Sequence, residues 1–257
     1  MTPLTVESAA RSVGRDWRRF LAVLDSSPDA DWSRPTRLAG WTVTDLVVHT
    51  VWGVSMEADA LRRCRLRIEA SAEGQVADPS SPPRELATRL RDAVEHLLAE
   101  LASLDEGEAG VRLVPMPYGT MPLTAVLPIL VMEAGVHAND LLAAVGQDEP
   151  LPGDVTSATA AVVAAFAPTF AAAASEVPTD GTVVALVSPG SHLRLQFAGD
   201  RWQVVGDDRA ATATIHAADD STLMLFALGR LDPADARLTV AGSAEALRLF
   251  KRWIPGP

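Results

Sequence analysis

The sequence predicts a mixed α and β protein in which an N-terminal four-helix bundle is followed by a small α+β domain. Two observations lead to this fold class. In residues 1–150 apolar residues recur at every third or fourth position over long stretches, as on one face of a helix. Beyond Pro152 the pattern changes to short β-branched or alternating runs separated by glycine and aspartate. We therefore expect a helical bundle over 1–150 and, over 151–257, a linker helix and an α+β domain.

The first two helices have clear limits. Apolar residues at helical spacing predict a helix over Val6–Leu24, and the polar, proline-containing segment 26–35 ends it. Thr42 can cap a second helix because Asp45, three residues on, completes a capping box. This second helix is predicted to continue to about Ile68.

The next two helices complete the bundle. A proline-rich loop precedes a third helix over Arg84–Leu104, which repeats leucine and valine on one face. The fourth helix is predicted to begin near Thr120 and Pro122, since proline suits a first helical turn, and to reach about Val145. Gly146 follows as a stop signal.

The second half combines an alanine-rich helix with short strands. The helix is predicted over Asp154–Ala174. The predicted strands are Thr182–Val187, His192–Phe197, Arg201–Val205, Ala211–His216 and Arg237–Val240. Two further helices are predicted, over Asp220–Leu228 and from Ser243 to Trp253.

Composition and charge limit the classes of partner. With 257 residues, of which 48% are hydrophobic, the chain can build a large core. Its formal net charge of −11 repels phosphate backbones, and no basic cluster reverses this, so nucleic acid is not expected as a partner. The apolar run 161–174 is too short to span a bilayer, so no membrane is expected either.

The single cysteine, Cys64, lies among four arginines. Neighbouring positive charge can make a thiol reactive, but arginines on a solvated helix face explain the cluster as well, and we favour the second interpretation. One cysteine cannot form an internal disulfide, and the N-terminus shows no signal segment. A cytoplasmic protein is therefore expected.

The stretch VMEAGVHAND sets Glu133 and His137 four residues apart among apolar and small residues. On a helix both side chains point the same way. The other members of their stripe are apolar: Val126, Leu130, Leu141 and Ala144. A buried charge costs on the order of several kcal/mol unless it is paired or binds a metal. Two interpretations stay open, an acid–histidine pair on a partly wet face and one part of a metal site.

His49, on the predicted second helix, is the candidate third ligand. Gly53 lies one turn further along and leaves space beside the imidazole. With Glu133 and His137 it would give two imidazoles and a carboxylate, the ligand set of a catalytic zinc site with an open position. Iron or nickel suits the same ligands. Spacing alone does not decide the matter, because no local motif joins His49 to Glu133.

The remaining polar candidates have weaker signals. Asp140, one turn past His137, either orients a ligand imidazole or is a solvated acid near the helix end. His96 lies off the apolar stripe of its helix and is expected to be solvated. His192 and His216 lie on predicted strands and are expected to be structural.

Two segments resemble a known family. PTRLAGWTVTDLVVHTVWG resembles the second-helix signature of the DinB-like metal-binding bundles of the mycothiol-dependent maleylpyruvate isomerase family, and VMEAGVHANDLLAAVG looks like the matching fourth-helix signature. The resemblance implies zinc binding by His49, Glu133 and His137. The order of elements after Pro152 resembles the sterol-carrier-protein-like domain that follows the bundle in this family.

The resemblance also implies a function. The expected protein is a zinc-dependent enzyme that uses the thiolate of mycothiol, the small thiol of actinobacteria, as a nucleophile toward an activated unsaturated or otherwise electrophilic small molecule. In an isomerase of the maleylpyruvate type the thiolate adds to a cis double bond, permits rotation and leaves. In a mycothiol S-transferase the adduct is kept, and the sequence does not choose between these outcomes.

The family's second domain contributes an arginine, and FALGR, residues 226–230, looks like the corresponding segment. Arg230 is therefore expected to be exposed in a cleft opposite the metal and to bind a substrate carboxylate. An arginine that merely stabilises a helix C-terminus explains the position equally well.

Two other classes of function stay open. One is a metal-binding protein without chemistry, kept for regulation or partner contact. The other is a lipid carrier, which ranks last because 178–257 contains few large apolar residues to line a long cavity.

Overall fold

The structure, a computed structural model, describes residues 4–169 and 176–253. The chain divides into two compact units, Met1–Val155 and Thr156–Pro257. Long helices dominate the first unit, and a five-stranded mixed sheet with helices forms the second. The predicted mixed fold class is therefore confirmed.

Four long helices form the first unit. They are α1 (Val6–Ser26), α2 (Val43–Leu66), α3 (Pro83–Ala102) and α4 (Leu123–Ala144). The most extensive packing joins α2 with α3 and α1 with α4. The predicted apolar stripes face the interior, where the largest fully buried side chains include Trp17, Phe20, Leu46, Leu61, Leu86, Leu90, Leu97 and Leu101. All four predicted helices are present, and their ends shift by a few residues.

The predicted capping box at the start of α2 is confirmed. The Asp45 backbone donates to the Thr42 hydroxyl at 3.3 Å, and the Thr42 backbone donates to the Asp45 carboxylate at 2.8 Å. Such reciprocal bonds satisfy the free N–H groups at a helix start. The box therefore determines where α2 begins, and with it the direction in which His49 points.

A short antiparallel hairpin precedes α4 and was not predicted. Strand β1 (Leu113–Met116) pairs with β2 (Gly119–Pro122), and Tyr118 lies in the turn between them. Thr120 is therefore in a strand, which corrects the expected helix start, and α4 begins at Leu123. Four-residue strands are too short for a reliable alternating pattern. Gly119, at φ 132°, adopts a turn conformation that other residues rarely reach.

The second unit is built around one sheet. Its elements are β3 (Val183–Val187), β4 (His192–Ala198), β5 (Arg201–Val205), β6 (Ala213–Ala217), α6 (Asp220–Ala227), β7 (Leu238–Gly242) and α7 (Ala244–Trp253). The strand order is β5-β4-β3-β6-β7, with β3 and β6 parallel and the other pairs antiparallel. All five predicted strands and both predicted helices are present.

The alanine-rich helix, α5 (Gly153–Phe166), is shorter than predicted. The last part of the predicted helix, 170–174, lies outside the described residues. At its start, α5 approaches α4 so closely that a Cβ on Gly135 would overlap the Val155 side chain. Glycine at this point of α4 therefore allows the two helices to touch.

α4 is the most deeply buried of the long helices. By length and composition it could cross a membrane, the one such helix in the described part of the chain, but 83% of its most apolar window is buried within the protein. That degree of burial is typical of a core helix in a globular protein. Polar side chains on α4 therefore lie in a largely apolar environment.

Candidate metal centre

Helices α2 and α4 bring three predicted ligands together. One ligand atom each from His49, Glu133 and His137 lies within 4.8 Å of the other two. The rings of His49 and His137 are 5.1 Å apart and inclined by 74°. Nε2 of His137 lies 3.0 Å from the Glu133 carboxylate. The i,i+4 pair on α4 and the histidine of α2 therefore converge on one point.

Asp140 lies on the far side of the His137 ring. Its Oδ2 atom is 3.3 Å from Nδ1 of His137, and the residue is fully buried. The interpretation of Asp140 as a solvated acid is therefore wrong. Asp140 instead lies where it can orient the imidazole of His137. With the acid at Nδ1, Nε2 of the ring is directed toward Glu133. Metal-binding histidines commonly have a carboxylate at the ring nitrogen that does not bind the metal.

The electrostatics of the cluster favour a positive charge. Burial lowers the pKa of His137, but its hydrogen bonds with Asp140 and Glu133 outweigh burial and raise the pKa to about 9. In the absence of a cation the imidazole is therefore protonated at neutral pH and pairs with both acids. A metal ion that binds here replaces that proton.

Aromatic rings surround His49. The Trp41 ring lies 5.0 Å from the imidazole in an edge-to-face arrangement, and the Trp52 ring lies 6.4 Å away. Trp41 directly precedes the Thr42 cap, so the capping box holds it in place. These rings pack beside the imidazole and restrict its orientation.

The comparisons with known proteins identify a family for the chain. The family model for the mycothiol maleylpyruvate isomerase N-terminal domain matches residues 11–142, just over half of the chain. The chain belongs to this family. The matched range contains all three clustered residues and Asp140.

Solved isomerase structures resemble the chain over nearly its whole length. They are the crystal structure of the mycothiol-dependent maleylpyruvate isomerase and that of a histidine-to-alanine mutant of it. Each has a TM-score of 0.68 at 16% sequence identity, and the match covers 94% of this chain and 96% of the other. At this identity the likeness is one of fold. A comparison with curated proteins gives no match.

Within this isomerase-family domain, sequence reasoning missed Glu57. The residue lies two turns after His49 on α2 and is 3% exposed, and its Oε2 atom has no hydrogen-bond partner among the described residues. Burial, and then the charge of Glu133, raise the pKa of Glu57 well above its ordinary value. The available signal was an acid at helical spacing from His49, within the largely apolar stretch VSMEADAL.

Tyr118 was also missed, because the hairpin that presents it was not predicted. Partial burial, followed by the charges of Glu57 and Glu133, raises the pKa of Tyr118. The residue nevertheless keeps 55% of its surface exposed. Tyr118 therefore lies near the carboxyl groups of Glu57 and Glu133, and part of its side chain reaches solvent.

Arg230 lies in the second unit, three residues after the end of α6, and is 5% exposed, whereas an exposed side chain was expected. Its Nη1 donates to the Leu228 carbonyl at 2.7 Å. The ammonium of Lys251 donates to the carbonyls of Phe226 at 2.9 Å and Ala227 at 3.2 Å. Both cations thus contact carbonyls near the C-terminus of a helix, where positive charge is favoured. Carboxylate binding by Arg230 stays a prediction.

The other candidates lie away from the cluster. His96 on α3 is exposed, as expected. His192 and His216 are exposed side chains of the sheet, and Nδ1 of His192 lies 3.3 Å from Asp207. Cys64 is 2% exposed and belongs to the core of the first unit. Its burial favours the interpretation that it is not a reactive thiol.

Proposed function

We propose that this protein is a zinc-dependent isomerase of the maleylpyruvate type that uses mycothiol. The observation that carries the proposal is the cluster of His49, Glu133 and His137 inside a domain of the mycothiol maleylpyruvate isomerase family. Two imidazoles and one carboxylate form the ligand set of zinc enzymes that keep a coordination position for a small molecule.

The three side chains fit a small divalent cation. Zinc bonds to nitrogen and oxygen of about 2.0–2.2 Å place tetrahedral ligand atoms roughly 3.4 Å apart. The ligand atoms of the cluster already lie within 4.8 Å of one another, and the pair on α4 is separated by 3.0 Å. Small side-chain rotations are therefore enough to accept the ion.

A bound zinc ion would supply a positive charge that favours the thiolate form of a thiol. The residues of the chain prepare the site for it. Asp140 holds Nδ1 of His137 so that Nε2 faces the ion position, and Glu133 provides the negative charge. Trp41 and Trp52 pack beside His49 and restrict its orientation.

Arg230 is proposed to bind the substrate carboxylate. A guanidinium can hold a carboxylate through two parallel hydrogen bonds, which a lysine cannot do. The proposal is supported by the resemblance of FALGR to the family's arginine-bearing segment. Its contact with the Leu228 carbonyl uses one nitrogen of the guanidinium.

S-transfer to an electrophile is the alternative outcome, because it needs the same thiolate and differs only in the fate of the adduct. Product analysis separates the two: an isomerase returns the thiol unchanged, whereas a transferase consumes it. We prefer isomerisation because the family is named for an isomerase. A cytoplasmic location is proposed with it, since thiols stay reduced there.

Metal and thiol binding test the proposal directly. Elemental analysis of protein purified with zinc should give about one ion per chain. Titration of the cobalt-substituted protein with mycothiol should produce a sulfur-to-metal charge-transfer band, and the affinity should rise with pH as the thiol deprotonates. Glutathione should bind more weakly, because contacts built for a sugar-bearing thiol are left unpaired by a peptide.

Each result has a contrary outcome. Zinc-supplemented protein without metal would exclude the proposed enzyme altogether. Metal binding without a mycothiol band would favour a metal-binding protein that has no chemistry. An equal response to every thiol would leave zinc dependence standing but remove mycothiol as the preferred thiol.

A further inference from the structure

Glu57 carries a buried carboxyl group, and no hydrogen bond to its Oε2 atom within the described residues accounts for its burial. It is 3% exposed, and its Oε2 atom has no hydrogen-bond partner among the described residues. Buried side-chain oxygens in folded proteins almost always have a partner, because leaving one unpaired destabilises the fold. An unpaired carboxyl that is retained in a core is a candidate for contact with a ligand.

The position of Glu57 on α2 relates it to the candidate metal centre. His49, Gly53 and Glu57 follow one another at intervals of four residues, so they form one ridge of the helix. A Cβ built on Gly53 would meet no atom within 4 Å. The ridge therefore carries an imidazole, then open space, then a carboxyl group.

Residues from other elements face the same region. The charge of Glu133, one of the three candidate ligands, acts on Glu57, and both charges act on Tyr118 at the hairpin tip. Glu57 is not one of the three clustered ligand residues. It lies two turns further along α2 than His49, with Gly53 between them.

The chemistry of a carboxyl group limits what Glu57 can recognise. Its oxygens accept hydrogen bonds, and its protonated form also donates one. An amide or hydroxyl group supplies a donor for the unpaired Oε2 atom and brings no charge into the buried site.

We propose that Glu57 is a ligand-binding residue of this site, whose carboxyl group hydrogen-bonds an amide or hydroxyl group of a thiol lying over Gly53. The inference rests on the proposed function, since it takes the His49, Glu133 and His137 cluster as the position that binds the sulfur. It adds a residue that selects among thiols by the polar groups next to their sulfur atom.

Three variants test whether Glu57 affects the choice of thiol without affecting metal binding. Glu57→Leu fills the same space without polar atoms, and Glu57→Gln keeps a donor and an acceptor at the same place. Met56→Leu, a buried apolar change at the adjacent position, is the matched control. Zinc content, thermal unfolding of the metal-free protein, and thiol binding to the cobalt-substituted protein are measured for all four proteins.

Glu57→Leu should keep its zinc and bind mycothiol about tenfold more weakly, while its affinity for 1-propanethiol, which has no amide or hydroxyl group, should not change. Glu57→Gln should bind both thiols within about threefold of the parent. Without metal, Glu57→Leu should unfold about 3 °C higher than the parent, because an unpaired buried carboxyl is removed. Met56→Leu should resemble the parent in all three measurements.

Three results would overturn the proposal. Equal weakening of both thiols by Glu57→Leu would show a general loss of the site, and unchanged binding of both would show that Glu57 touches neither. A lower unfolding temperature for metal-free Glu57→Leu would assign Glu57 a structural role. A parent protein that binds zinc but no thiol contradicts the proposed function before any variant is compared, and the two failures are thus distinguishable.

Discussion

Nδ1 of His137 lies 3.3 Å from Oδ2 of Asp140, and both residues are buried on successive turns of α4. Because Nε2 of the same ring faces Glu133 at 3.0 Å, one imidazole joins an acid on each side. This relationship holds the ring in one orientation. It accounts for the retention of a fully buried acid in an otherwise apolar helix.

Asp140→Asn should weaken zinc binding about 10- to 100-fold, since loss of the acid at Nδ1 lowers the basicity of the ligand and loosens its orientation. Competition with a fluorescent chelator measures the affinity. Asp92→Asn on α3, at an exposed position, is the control. Equal zinc affinities for the two variants would show that Asp140 does not support a ligand.

His49→Ala should lose zinc while the first unit stays folded, because the helices that carry the site have apolar stripes of their own. Elemental analysis gives the metal content, and circular dichroism gives the helix content. His96→Ala, which removes an exposed histidine from α3, should keep its zinc. A His49→Ala protein with full zinc content would exclude His49 as a ligand.

The two glycines inside α2 and α4 should respond oppositely to alanine. Gly53→Ala should stabilise the protein by about 1 kcal/mol, because alanine favours a helix and nothing lies within 4 Å of the new Cβ. Gly135→Ala should destabilise it by about 2 kcal/mol, because the new methyl group overlaps Val155. Urea unfolding measures both free energies, and a change of the same sign in the two variants would contradict the packing described for α4 and α5.

Asp154 should make the protein sensitive to acid. Burial alone would raise the pKa of Asp154, but hydrogen bonds from Arg15 and Ser12 outweigh it and hold the pKa below the ordinary value of 3.8. A carboxyl with a lowered pKa stabilises the fold above its ordinary pKa, and the contribution is lost as the pH falls through the lowered value.

Asp154→Asn should therefore cost about 1 kcal/mol of unfolding free energy at pH 7, a value reduced by the partial exposure of the pair. The difference from the parent should shrink as the pH falls below 3.8. Urea unfolding between pH 3 and 7 measures it. A difference that is constant across this range would show that the charge of Asp154 is not what stabilises the contact.

Arg230→Lys distinguishes the two interpretations of Arg230. Lysine keeps the positive charge near the end of α6 but cannot bind a carboxylate through two parallel bonds. We expect kcat/KM to fall about 100-fold, with little change in the unfolding temperature. Arg209→Lys, at an exposed position of the same unit, is the control. Unchanged turnover in Arg230→Lys would leave only the role at the helix C-terminus.

The sequence alone determined the local structure that carries the site. Apolar residues at helical spacing determined the four long helices, since a helix in a globular protein must bury one face. The capping box at Thr42 and Asp45 determined the start of α2 through bonds between residues three apart. The four-residue spacing of Glu133 and His137 likewise determined that the two side chains share one helix face. These features are set by neighbours along the chain.

Tertiary packing decided the rest. Whether His49 meets the pair on α4, whether Asp140 is buried, and whether Glu57 lies near the charge of Glu133 all depend on how α2 and α4 pack. Helical periodicity indicates which face of its own helix a side chain occupies, but it does not identify the residues of other helices that contact that face. The hairpin that presents Tyr118 was likewise not predicted, because strands of four residues depend on pairing with each other rather than on a local pattern.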